Sequence, residues 1–257
     1  VAVSRGPGLL GSLLVGVAFA KALALGCGAR FLGVNHLHAH LLAAGLENEL
    51  RFPALGLLVS GGHTHIYRME SPSRCIVLGK TLDDAAGEAF DKVGKILGLA
   101  YPGGKLMDAL ARQGRADARL FPRPYLDNDN LDFSFSGIKT GVLNYMNSER
   151  QAGREPNPAD VAASFQAAVL DVIVAKTVGA AVDMDKDKIV LAGGVASNSR
   201  LREMLQAECK KHDIALYYPD PILCTDNAAM IGCAAYYKYK AGGISDLDLD
   251  AVPDLPL

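Results

Sequence analysis

The chain has 257 residues, half of them hydrophobic, with 26 basic against 28 acidic side chains and a formal net charge of −2. That length is enough for one large core or two modest lobes, and that charge excludes a nucleic-acid binder driven by a global positive field; an RNA partner would have to meet a local basic patch. Cys27, Cys75, Cys209, Cys224 and Cys233 are scattered, odd in number and form no C-x-x-C, so they read as reduced core thiols of a cytoplasmic protein and not as a disulfide framework.

At the start, residues 1–4 read as a strand and Gly6-Pro7-Gly8 as a tight turn. The apolar run from Leu9 to Ala20 then reads as the buried helix of a βα unit. A secretion signal has a similar composition, but Lys21 interrupts the run short of the ~20 residues a span needs, so no membrane is expected. The first residue is Val1, and the chain is expected to begin inside a longer protein.

Residues 30–34 form a short strand, and Asn35 can cap a helix from His36 to about Leu46. Arg51-Phe52-Pro53 breaks the pattern. The continuous apolar run 54–59 predicts a buried strand, Ser60-Gly61-Gly62 a turn, and residues 64–68 and 75–78 two further strands. Residues 81–97 have helical spacing with acids early and lysines late, an order that suits the helix dipole. A turn at 101–104 leads to a helix ending near Arg112, and the Pro-, Asp- and Asn-rich stretch 121–132 reads as a surface loop.

Asn157-Pro158-Ala159-Asp160 is a helix start, with a cap, a proline at the first position and an acid in the first turn. Val161, Phe165, Ala168, Val169 and Val172 fall on one face of that helix. Residues 189–192 form a strand, Gly193-Gly194 a turn, 199–210 a helix and 215–218 a last strand. Thr225 or Asp226 then caps a helix reaching about Tyr239, and the tail from Ser245 is expected to be loose. Alternating strands and helices throughout predict an α/β fold.

The sharpest chemical signal is His36-Leu37-His38-Ala39-His40. His36 and His40 lie one helical turn apart on one face, where two imidazoles can hold one ion; His38 points away. A zinc-protease helix would carry Glu in the second position. Here Leu37 stands there, so a metal would act as a Lewis acid or template. Asp226, between a strand and a helix, either completes a two-histidine, one-carboxylate site for Fe(II) or Zn(II), or merely caps the helix. The turns at Ser60-Gly61-Gly62 and Gly193-Gly194 let backbone approach a phosphate. His63 and His65 could be a second metal pair, though a structural role is commoner. Asp84, Glu88 and Asp91 share a helical face, as a solvated stripe or as a wall for ribose hydroxyls.

Taken together, Gly6-Pro7-Gly8, Asn35 to His40, Val59 to Thr64, Asp83 to Lys92, Tyr101 to Gly104, the stretch from Phe133 to Thr140, Gly193 to Asn198 and Thr225-Asp226-Asn227 resemble the TsaD family, the transferases that make threonylcarbamoyladenosine in tRNA. The resemblance implies a two-lobed actin-like ATPase fold of the actin, sugar-kinase and Hsp70 kind, here with the first lobe incomplete. It implies a remnant of lobe I at 1–52 with the metal helix, lobe II at 53–221, and a C-terminal helix at 222–257 returning to lobe I. It also implies transfer of threonylcarbamoyl from threonylcarbamoyl-adenylate to N6 of the adenosine just 3′ of the anticodon, in tRNAs that read ANN codons.

By the same resemblance His36, His40 and Asp226 bind one divalent ion, Fe2+ ahead of Zn2+. Leu58, Val59, Ser60, Gly61, Gly62, Asp91, Gly104, Asp108 and Asn198 bind the adenylate, and TsaB and TsaE are partners. Replacing Asn198 or Asp91 by Ala is expected to weaken the nucleotide and leave the fold intact. Three alternatives stay open: a metalloendopeptidase, a plain ATPase or sugar kinase of this fold, and a non-catalytic binding subunit.

Overall fold

A computed structural model describes residues 1–126 and 128–257. A parallel pair, β1 (Ala2–Gly6) and β2 (Leu32–Asn35), is joined by α1 (Leu10–Gly26). Then follow α2 (His36–Ala43), β3 (Ala54–Val59), β4 (Thr64–Ser71), β5 (Arg74–Lys80), α3 (Ala86–Ile96), α4 (Gly104–Ala111), α5 (Ser136–Gln151), α6 (Pro158–Asp183), β6 (Lys188–Ala192), α7 (Ser199–Lys211), β7 (Ala215–Tyr217), α8 (Pro221–Cys224) and α9 (Ala228–Lys240). The larger sheet has five strands in the order β5-β4-β3-β6-β7.

β3 is the centre of that sheet, antiparallel to β4 and parallel to β6, with Leu57 opposite both Ile66 and Leu191. All six of its residues are buried because each face meets a different core. Leu55, Leu57 and Val59 join α3 to α7 in the larger cluster. Ala54 and Leu58 face the other way, into a cluster built from α2 and α9 with Leu41, Leu42, Met230 and Ala234. A strand covered on both faces has no polar side, which is why its sequence is a continuous apolar run.

α6 passes by length and composition as a possible membrane span, yet 72% of the apolar stretch is buried inside the protein, as the core helix of this α/β layer. Asn157 caps it by accepting from Ala159 N–H, and Val161, Phe165, Ala168, Val169 and Val172 are all buried, as the spacing predicts.

Three expectations need correction, and one helix has no counterpart among them. α1 is not buried: only Leu13, Val17, Ala20 and Ala24 face inward, and Leu14, Val15, Phe19 and Leu25 are exposed. Uniform apolarity hides which stripe of a helix meets the protein. The helix expected from residue 81 begins at Ala86, because Thr81 is drawn into backbone bonding with Thr64 and its hydroxyl donates to Asp84 O. α5 has no clear helical signal in the sequence: Gly137, Thr140, Gly141 and Asn144 dilute it, and tertiary burial of Ile138, Val142 and Met146 overrides that. The tail is tied down: Ser245 N–H donates to Phe31 O, Val252 N–H to Arg5 O, and Asn35 Nδ2 to Pro256 O at 2.9 Å.

The five cysteines are unpaired. Only Cys209 and Cys224 are fully buried, and Cys27 is exposed, so the expectation of core thiols holds in part.

Candidate metal and nucleotide site

β2 ends at Asn35, whose side-chain oxygen accepts from Leu37 and His38 N–H. That cap starts α2 at His36 and places His40 one turn further on the same face. Their rings meet edge-to-face with centroids 4.7 Å apart. His38 lies apart from this set, with burial lowering its pKa and a backbone partner at Pro72.

The third group arrives from the far end of the chain. α8 turns the backbone after β7, and Thr225 continues extended. The cap of α9 is then Asn227, accepting from Met230 N–H at 2.9 Å. Neither Thr225 nor Asp226 caps the helix, which corrects the sequence expectation and leaves the Asp226 carboxylate free. Its Oδ1 stands 3.4 Å from His36 Nε2 and 3.1 Å from His40 Nε2. These hydrogen bonds hold the Asp226 carboxyl far below the usual carboxylate range.

The three ligand atoms lie within 4.8 Å of one another. Atoms bound to one ion at ~2.1 Å sit roughly 3.0–3.4 Å apart, and the spacing from each Nε2 to Oδ1 falls in that range. The donor set, two imidazoles and one carboxylate, suits Fe(II) or Zn(II) with positions left over. His40 is buried while the Asp226 side chain is 78% exposed, so the open positions face outward. Among the described residues this is the one such group of three. His65 is engaged elsewhere, its Nδ1 2.6 Å from the Tyr67 hydroxyl.

Beside this set lies a hollow of about 380 Å³. It forms where β3 and the parallel β6 both end, the crevice in which open α/β sheets hold ligands. Gly193 needs its φ of +89°, and a side chain there would meet Val59 O at 2.4 Å. That tight contact brings the two glycine turns together. Gly61, Gly104 and Gly194 line the hollow and nothing stands within 4 Å of where a Cβ would be, so their backbone is open to a ligand.

Asp91, Asp108 and Asn198 also line it. Asp108 Oδ2 accepts from Ser199 N–H and Oγ, while its Oδ1 is buried without a partner among the described residues. Asp91 Oδ1 accepts from Gly103 N–H at 2.7 Å and so shapes the Gly103-Gly104 turn. Asp84 and Glu88 are paired with Lys92 and form no wall of the hollow. Leu58 and Val59 have fully buried side chains in opposite cores, so they serve the site by carrying the turn. Ser60 Oγ accepts from His63 N–H, closing that turn; Gly62 is exposed on it.

Asn198 is nearly buried: it caps α7 through Leu201 N–H and donates to Gln166 Oε1 at 2.8 Å. A change there would remove both of these bonds, so the expectation that it leaves the fold intact has to be tested by stability as well as by binding. Gly87, Lys105, Ser197 and Thr225 line the hollow too and were missed. Only Gly87 carried a usable sign, a glycine early in a predicted helix: a side chain there would meet Ser60 O at 2.5 Å.

The sequence pattern described as "TsaD: tRNA N6-adenosine threonylcarbamoyltransferase" matches residues 1–233. The chain belongs to the TsaD family. It is 58% identical to the tRNA N6-adenosine threonylcarbamoyltransferase of Desulfovibrio desulfuricans, over 98% of this chain and 73% of that one. It is 53% identical to the enzyme of the same description from Clostridium botulinum strain Kyoto, over 100% of this chain and 76% of that one. This TsaD protein is therefore an acyltransferase that acts on tRNA, forming threonylcarbamoyladenosine.

Solved structures give the fold. HypF of T. kodakarensis superposes with a TM-score of 0.67 at 13% identity, covering 92% of this chain and 40% of that one. The activator of 2-hydroxyisocaproyl-CoA dehydratase from Clostridium difficile gives 0.51 at 14%, covering 82% and 69%. The TsaD chain has the actin-like ATPase fold of the α/β class.

Proposed function

We propose that the donor is threonylcarbamoyl-adenylate, with its nucleoside in the hollow between Gly61 and Asn198 and its reacting end toward His36, His40 and Asp226. The observation that carries this is adjacency: Thr225 lines the hollow and the next residue is the carboxylate facing both imidazoles. The unpartnered Asp108 Oδ1 is an acceptor suited to a ribose hydroxyl or an amino group. A divalent ion at the histidine–aspartate set, Fe2+ ahead of Zn2+, would supply a Lewis acid for substrate oxygens.

The acyl carbon of such a mixed anhydride is already activated. The residues therefore have to orient it against the weakly nucleophilic N6 amine and keep water from competing. The open backbone at Gly61 and Gly194 approaches the phosphate, and Asp108 fixes the nucleoside end. The acceptor is the adenosine just 3′ of the anticodon in tRNAs reading ANN codons. With a net charge of −2 and no global field for RNA, capture of tRNA depends on partner proteins, TsaB and TsaE. The reaction takes place in the cytoplasm, where these substrates meet.

The test is equilibrium binding of threonylcarbamoyl-adenylate to metal-loaded protein, wild type against Asp108→Ala. Affinity should fall at least tenfold in the variant. Equal affinity, or no binding by the wild type, would remove the reading.

A further inference from the structure

The nucleotide hollow has a larger neighbour, a cavity of about 750 Å³. The two meet at one turn: Gly61 lines the first and His63 the second. They also flank the metal set, since Thr225 beside Asp226 lines the first and Leu37 beside His36 lines the second. The cavity combines apolar walls, from Leu37, Leu78, Pro253 and Leu255, with a polar strip of His63, His65 and Tyr67; Lys80, Asp132 and Asp254 are its charged lining residues. A transferase needs two substrates on opposite sides of its reacting centre, and the donor occupies one.

We propose that this cavity receives the acceptor adenine of the tRNA, and that His63 is the catalytic residue that takes the proton from N6. The apolar walls suit the faces of an unstacked base, and a base extruded from its loop is how enzymes reach such an atom. Lys80 is exposed where the RNA backbone would follow. This rests on the adenylate as donor. N6 forms a bond to the carbamoyl carbon, the bond from that carbon to the phosphate oxygen breaks, and AMP leaves with its electron pair. The N6 proton passes to a His63 ring nitrogen and from there to solvent.

His63 is built for that position. Its backbone is pinned by the turn, through Ser60 Oγ and through Ser60 N–H to His63 O at 2.7 Å. Its ring stands edge-on to His65 with centroids 5.3 Å apart. His65 is fixed in turn: its Nδ1 is hydrogen-bonded at 2.6 Å to the hydroxyl of Tyr67, whose pKa is raised by burial and which keeps its proton. Burial lowers the pKa of His63 and so favours the neutral ring, the form that can accept a proton.

The experiment uses the complete metal-loaded enzyme and an anticodon stem-loop with 2-aminopurine at the acceptor position, alongside single-turnover transfer to tRNA. Val77→Trp, which fills the cavity from its wall, should abolish the fluorescence change on stem-loop binding and leave adenylate affinity within twofold. His63→Gln should keep metal content, adenylate affinity and the fluorescence change, and slow single-turnover transfer by about 10²–10⁴-fold, with KM for tRNA near wild type. His63→Ala should be partly rescued by added imidazole. A wild-type rate in His63→Gln, loss of metal in that variant, or an unchanged fluorescence signal in Val77→Trp would each overturn the proposal. If wild-type enzyme fails to bind the adenylate while the fluorescence arms behave as stated, the donor assignment falls and the base cavity stands.

Discussion

His40 Nε2 and Asp226 Oδ1 lie 3.1 Å apart although 186 residues separate them in the chain. The contact works because α9 packs along α2 through Met230 and Ala234, which brings the turn before α9 to the open face of the histidine helix. The neighbouring Asn227, and not Asp226, caps α9. Asp226→Asn should therefore leave α9 intact and empty the metal site, because an uncharged amide is a poor third ligand. Asn227→Ala should do the reverse, costing about 1 kcal/mol of stability and retaining the metal under saturating conditions. Metal analysis and melting curves on both variants separate the roles; wild-type metal content in Asp226→Asn would show that the carboxylate is only an ion-pair partner.

The parts of this arrangement legible in sequence were those with local signatures. The cap at Asn35, the one-turn spacing of His36 and His40, the buried β3 and the start of α6 each depend on residues within a few positions of each other. Asp226 was ambiguous because capping and ligation use the same residue types at a helix start, and only the position of α2 in space decides between them. The tail from Ser245 looked loose since its partners, Phe31, Arg5 and Asn35, lie more than 200 residues away. α5 escaped for the same reason: its stabilising contacts are with the core, not within its own turn.

Asn198 joins the nucleotide hollow to the core. Asn198→Ala removes the cap on Leu201 N–H and leaves Gln166 Oε1 buried without its donor. The two losses together should cost roughly 2–4 kcal/mol. Asn198→Asp should be much milder, because it still caps and the Gln166 amide can turn to donate to it. Chemical denaturation of the two variants checks this, and equal stability of Asn198→Ala and wild type would contradict it.

The glycines at the hollow divide by what stands behind them. A Cβ on Gly87 would meet Ser60 O at 2.5 Å, so Gly87→Ala must push α3 away from the turn that carries Gly61. It should lower both stability, by about 1–3 kcal/mol, and nucleotide affinity. A Cβ on Gly61 meets nothing within 4 Å and projects into the hollow. Gly61→Ala should therefore change stability by less than about 0.5 kcal/mol and still weaken the nucleotide at least tenfold. Parallel melting and binding measurements distinguish them; a Gly61→Ala protein that binds as wild type would place the phosphate elsewhere.

Acid should destabilise the protein through histidines held neutral. Burial lowers the pKa of His65 to about 4, with His63 and Lys80 adding to the effect, and His38 and His63 are lowered as well. A base whose folded pKa is depressed binds fewer protons folded than unfolded between the two values. Stability is then fully present above the unfolded value near 6.5 and is lost as pH falls toward the folded one. For His65 the window runs from about pH 6.5 to about 4, with a slope of at most about 1.4 kcal/mol per pH unit for one proton. His65→Gln removes that titration while still able to hydrogen-bond the Tyr67 hydroxyl. Urea unfolding of wild type and His65→Gln at pH 7, 6 and 5, at matched metal content, should show a smaller acid loss in the variant. Matching the metal keeps differences in metal binding out of the comparison. Parallel pH profiles would mean that His65 is as easily protonated in the folded protein as in the unfolded chain.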